Sequence, residues 1–97
     1  MSGKVFITGM GIISAIGNDV SENLHALRNL KSGISSVKYL QTNHKSIPLA
    51  EVKLHDEELI LKSKIKNPKG ITRTALLGII AASEAYKSAN LENDPKI

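Results

Sequence analysis

Between Ala75 and Ala82 the chain reads Ala-Leu-Leu-Gly-Ile-Ile-Ala-Ala, a stretch with no charge and no polar side chain. It lies within a run of strong helix formers, and the pattern predicts a helix over 72–89, about 27 Å long. A helix that is apolar around most of its circumference is stable only when buried. Gly78, Ala82, Ala85 and Ala89 provide small contact points where another element could approach closely. The rest of the 97-residue chain offers two short predicted strands and one amphipathic helix, too little to wrap it. The sequence therefore implies partner surface from a longer chain or from another subunit.

Upstream, Val5, Phe6, Ile7 and Thr8 form a β-prone run without alternation, which predicts a strand covered on both faces. Gly9, Gly11 and Gly17 then break the regular backbone, pointing to positive φ or close approach in a bending connection. Asn18 to Ser32 predicts a helix. Asp19 and Glu22 stand at capping-box spacing, Val20, Leu24, Leu27 and Leu30 form an apolar stripe, and Lys31 and Gly33 close the end. Ser35 to Ser46 is polar and irregular. Ile47 to Leu54 alternates as a short strand with Ala50, Val52 and Leu54 on one side, and Pro48 places it at an edge. His55 to Leu61 predicts a short helix with acids in its first turn. Lys62 to Gly70 is a basic loop containing Pro68.

Composition narrows the function. Apolar residues make up 41% and charged residues 23%, which argues for a globular protein and against disorder. With no Cys, a disulfide framework, a thiolate metal site and a cysteine nucleophile are excluded within these residues. His25, His44 and His55 lack metal-ligand spacing and are most simply surface or loop histidines. Only Phe6, Tyr39 and Tyr86 are aromatic, which weakens any reading built on stacked bases. No apolar run is long enough to cross a bilayer and no secretory signal opens the chain, so a cytoplasmic location is expected.

The net charge is +4, and its distribution matters more than its total. No acid falls between Leu59 and Ser83, whereas Lys62, Lys64, Lys66, Lys69 and Arg73 all do. A block of this kind is a solvated face or a docking site for an anionic partner.

A strand leading into Gly9-x-Gly11 invites a dinucleotide-binding reading, but the spacing fails. That motif wants Gly or Ala where this chain has Ser14, and an acid about 20 residues further on. None occurs between Glu22 and Glu51.

The combination Thr8-Gly9-Met10-Gly11, Ser14, Gly17-Asn18 and Ser32-Gly33-Ile34 instead resembles the opening of β-ketoacyl-[acyl carrier protein] synthases. There a first strand leads through a T-G-x-G-x-x-S-x-x-G turn into a helix ending near S-G-I. The resemblance continues through Glu51-Val52 and along Arg73 to Leu91, covering essentially the whole chain and roughly the first quarter of a family member. Ala15 departs from the common proline. Thr72 and Thr74 depart from the Asp and Phe that more often flank the arginine, which leaves the partners of Arg73 open.

The resemblance implies an α/β chain forming the amino-terminal part of a thiolase-like α-β-α-β-α layered fold, within a homodimer that needs no cofactor. Its chemistry is decarboxylative condensation of an acyl thioester with a malonyl-carrier substrate, in fatty acid or polyketide-like biosynthesis. The catalytic cysteine and histidines lie beyond the matched region, so no catalytic residue is expected among residues 1–97, and this chain alone is expected to be inactive. Relatives bind their acidic acyl carrier protein through basic residues just ahead of the helix matched by Arg73 to Leu91. Lys62, Lys64, Lys66 and Lys69 are therefore the docking candidates. Two other classes compete: a noncatalytic homologue that shapes chain length within a heterodimer, and a small basic nucleic-acid-binding module.

Overall fold

The computed structural model describes residues 3–95. Three α-helices are present, α1 (Val20–Arg28), α2 (Asp56–Ser63) and α3 (Arg73–Ser88), with a 3-10 turn at Leu91–Asn93. A two-stranded antiparallel sheet joins β1 (Ile34–Ser35) to β2 (Leu49–Ala50), pairing Ile34 with Ala50 and Ser35 with Leu49. This mixture of helix and small sheet is compatible with the α/β class.

The core lies between α2 and α3. Val52, Leu59, Leu76 and Ile80 are buried together, and Ile13, Leu54, Ile60, Ile65, Ile71 and Leu77 pack around them. Leu59 and Leu76 are the large side chains taken fully out of water. Removing either side chain's methyl groups would leave a cavity costing about 2–5 kcal/mol.

α3 begins and ends where the apolar run predicts. The Thr72 side chain caps it by accepting from Ala75 N–H at 3.1 Å, and Ala89 closes it. Its second face meets the glycine segment. A Cβ on Gly9 would stand 2.5 Å from the Ala85 carbonyl oxygen, and one on Gly11 would collide with the Ala81 carbonyl oxygen and sit 2.8 Å from Ala85 N. Neither glycine, nor Gly17, has positive φ, so close approach is what this stretch requires. Of the small positions on α3, Ala85 and Ala89 make that contact, whereas Gly78 faces open space.

Glu84 ties the same connection down. One carboxylate oxygen accepts from Ile12 N–H at 3.0 Å and the other from Val20 N–H at 2.9 Å, at the positive end of α1. Ser14 and Gly17 exchange backbone hydrogen bonds across the bend. The buried Asn23 amide donates to Gly17 O at 3.1 Å and Asp19 O at 2.7 Å, and accepts from the Ser14 hydroxyl.

Four expectations need correction. Val5–Thr8 forms no strand, and Ile7 is 89% exposed, because no neighbour among the described residues supplies a hydrogen-bonding edge. α1 stops at Arg28. The residue with left-handed backbone is Leu30 (φ 54°), with Lys31 N–H bonded to Ala26 O and Leu30 N–H to Leu27 O, the pattern of a Schellman ending. Gly33 instead packs against Ala15. The stripe Leu24, Leu27 and Leu30 faces outward, while Asn23 and Ala26 face in. The strand expected over 47–54 is reduced to Leu49–Ala50, and its partner β1 falls where the sequence reads as a helix end and irregular chain.

The surface accounts for these differences. The chain exposes 7621 Å², about 2000 Å² more than a folded monomer of 10.5 kDa should expose. Its radius of gyration is 16.2 Å, against about 13 Å for a compact domain of this length. Much of the apolar surface, including Phe6, Ile7, Leu27, Leu30 and Ile34, has nothing packed on it.

The glycine contact gives a direct test. Gly11→Ala should destabilise the chain by about 1–3 kcal/mol, because the backbones of both elements must separate. Gly78→Ala should be neutral or stabilising by about 0.5–1 kcal/mol through helix propensity. Thermal melts followed by circular dichroism distinguish the two, and equal midpoints would contradict the packing described.

Candidate functional site

The four candidate lysines sit where α2 ends and the chain crosses to α3. α2 starts with His55 at its cap and Glu58 accepting from His55 N–H at 3.0 Å, and Asp56, Glu57 and Glu58 occupy its first turn. Its last turn contains Lys62, so that residue is helical and does not belong to the loop. Lys64 follows in left-handed conformation (φ 60°), its N–H bonded to Leu61 O at 3.3 Å. The Ser63 hydroxyl donates to Ile60 O at 2.7 Å and accepts from Ile65 N–H at 3.3 Å, satisfying the helix end.

Two isoleucines fix the crossing segment. Ile65 and Ile71 pack against the core at its two ends. Between them, Ile71 N–H bonds to Pro68 O at 3.1 Å and Gly70 has φ 81°, which fits a type II turn with Lys69 at its first central position. Lys62, Lys64, Lys66 and Lys69 are all exposed. They do not share one site. Lys62 and Lys64 line a cleft of about 390 Å³ with Lys87, Glu84 and Asp19, and Lys66 and Lys69 lie outside it.

Arg73 has a structural role. Its guanidinium donates to the Asp56 carboxylate at 2.8 Å and to Val52 O at 2.9 Å, joining the starts of α2 and α3 to the chain leaving β2. The ion pair is the one present among the described residues. Arg73 is mostly covered while Asp56 is more than half exposed, so water screens the pair and the bond to Val52 O is the firmer link.

The histidines are separate. His55 caps α2 and its ring lies 4.7 Å from the Tyr39 ring, His25 contacts Asn29 on α1, and His44 is in an exposed loop. Among the described residues no group of three His, Cys, Asp or Glu side chains is placed to hold a metal ion. No helix among them is long and apolar enough to cross a membrane.

Glu51 is a residue that sequence reasoning missed. Alternation would put it on the outer face of a strand, yet it is only 4% exposed. Its carboxylate accepts from three successive backbone N–H groups, those of Lys38, Tyr39 (3.0 Å) and Leu40 (2.7 Å). Burial raises the pKa, but the bonds from Leu40, Lys38 and Tyr39, with the charge of Lys53, outweigh it and hold the group below its ordinary value. Lys53 in turn donates to Gly33 O at 3.0 Å and to the Ser35 hydroxyl at 2.9 Å, fastening β1. The isolated acid inside an apolar run was the one available signal.

No family model matches the chain, and no solved structure matches it. Curated 3-oxoacyl-[acyl-carrier-protein] synthases from several bacteria are similar to the chain. The 3-oxoacyl-[acyl-carrier-protein] synthase 1 of Buchnera aphidicola subsp. Schizaphis graminum is 33% identical over 90 residues, 92% of this chain and 22% of that protein. The corresponding synthase 2 of Staphylococcus aureus is 36% identical over 91 residues, 92% of this chain and 21% of that protein. Synthase 1 of Haemophilus influenzae is 33% identical over 92 residues, 94% of this chain and 22% of that protein. The chain thus spans about a fifth of the length of the relatives it matches.

A depressed carboxyl pKa has a defined pH signature. Stability from Glu51 is fully present above the unfolded value, about 4.3, and is lost as pH falls through the lower folded value. Glu51→Gln should lower the melting midpoint at pH 7 and flatten the acid limb of stability below about pH 4.3. Melts at pH 7, 4 and 3 check this, and a variant that keeps the wild-type acid slope would exclude Glu51 as its source.

Proposed function

We propose, for a chain that belongs by sequence to the 3-oxoacyl-[acyl-carrier-protein] synthase family, that it forms the amino-terminal segment of such a synthase and supplies part of the surface that receives the carrier protein. The sequence match along 92% of the chain carries the reading. The lysines held outward at the crossing between α2 and α3 support it.

The reaction is a decarboxylative condensation. A malonyl thioester loses its carboxylate as CO2, the carbon left behind attacks the carbonyl of an acyl group held on an enzyme thiol, and that thiolate departs. This chain has no cysteine, so the thiol belongs to another part of the protein, as do the groups that stabilise the oxyanion. The uncovered faces of α1, α3 and the Val5–Thr8 segment fit a larger layered body of the thiolase kind, in which missing strands and helices would cover them. A homodimer in the cytoplasm completes the proposal, with a product in the fatty acid or polyketide-like class.

Carrier proteins must dock and leave within each cycle. Exposed ammonium groups suit that need, because they raise the encounter rate without building a slow-dissociating interface. The double reversal Lys66→Glu with Lys69→Glu in the full-length protein should slow carrier association about tenfold at low salt and weaken its salt dependence. Stopped-flow association at two ionic strengths measures this. An unchanged rate at both would remove these lysines from the docking surface.

A further inference from the structure

We propose that the cleft between the last turns of α2 and α3 is a second docking element for the same acidic carrier, with Lys87 as a contact residue and Leu61 as its apolar anchor; this rests on the carrier-docking reading above. Lys62 and Lys64 come from the end of α2 and Lys87 from the last turn of α3, so residues distant in sequence line one hollow of about 390 Å³ with three lysines. Among the described residues none of the three makes an ion pair.

The two acids in the cleft, Asp19 and Glu84, offset only part of the lysines' charge. Asp19 caps α1 by accepting from Glu22 N–H at 2.8 Å, and both oxygens of Glu84 are engaged by the N–H groups of Ile12 and Val20. Both oxygens of Glu84 and one of Asp19 are thus taken by backbone donors, with Asp19 and the Val20 N–H at the positive end of α1. The cationic groups are left to face solvent.

Leu61 adds the second requirement of a specific interface. It is 80% exposed beside Lys62, although leucine at this point gains nothing from water. An occupant with a carboxylate for the lysines and an apolar side chain for Leu61 satisfies both, and an acidic helix carries these on one face. Lys66 and Lys69, outside the cleft, would then act on approach, while the cleft holds the docked partner.

The test uses the full-length protein and its purified carrier, with affinity measured at low and physiological salt. Lys87→Glu should weaken binding about fivefold or more at low salt and reduce the salt dependence, and a carrier with one acid reversed to lysine should restore it. Leu61→Ala should weaken binding while leaving the salt dependence unchanged. Both side chains are exposed, so the fold should tolerate the changes, and circular dichroism verifies that. If both variants bind within twofold of the unaltered protein, the cleft inference is overturned. In that event a continued loss with the Lys66/Lys69 reversal leaves the carrier reading standing, whereas no loss there removes it as well. An equal loss of affinity for a single-stranded oligonucleotide would mark the cleft as a general polyanion patch and also overturn the inference.

Discussion

Everything else in this chain is arranged around the contact between the glycine segment and the small-residue face of α3. Gly9 and Gly11 let one backbone lie directly on another at Ala81, Ala85 and Ala89. That fixes where the chain bends, where α1 starts and which face of α3 remains for α2. The opposite face of α3 takes Leu59 through Leu76 and Ile80. One helix therefore serves two unlike neighbours, a bare backbone on one side and a greasy helix on the other. A third face, with Ala75, Gly78, Ile79 and Ala82, is exposed.

Polar side chains do what a larger core would do elsewhere. Glu84, Glu51 and Asn23 each satisfy backbone groups from segments that have no regular partner. Most of these groups are only part-buried, so each bond adds about 0.5–1.5 kcal/mol. Every buried side-chain nitrogen or oxygen among the described residues has a partner. The loops are thus ordered by hydrogen bonding even though little apolar surface is buried, which fits a radius of gyration well above that of a compact domain.

Local signals were legible and long-range ones were not. The limits of α3 and the start of α2 follow from caps and helix propensity, which act within a few residues. At Gly9 and Gly11 the sequence left positive φ and close approach open; the structure has the close approach, and its partner on α3 was not legible. The Val5–Thr8 strand and the outward Leu24, Leu27 and Leu30 stripe failed for a shared reason: both patterns describe apolar surfaces that gain from being covered, and nothing among the described residues covers them. Alternation misled at Glu51, where three backbone donors from Lys38–Leu40 draw a carboxylate inward. For the candidate site, the four lysines were visible as a charge block, but their division by the cleft was not. That division depends on Lys87, which lies one helix further along the chain.

The crossing between α2 and α3 is pinned by Ile65 and Ile71, turned by Gly70, and spanned by Arg73, which grips both helix starts and the Val52 carbonyl. Its lysines therefore ride on a stiff bracket. Charges on flexible stems anchored at fixed backbone points exert torque as well as attraction, and an anionic body approaching them would be rotated as it was drawn in. Less orientational freedom then remains to be lost at contact, so a brief encounter can be selective without being tight.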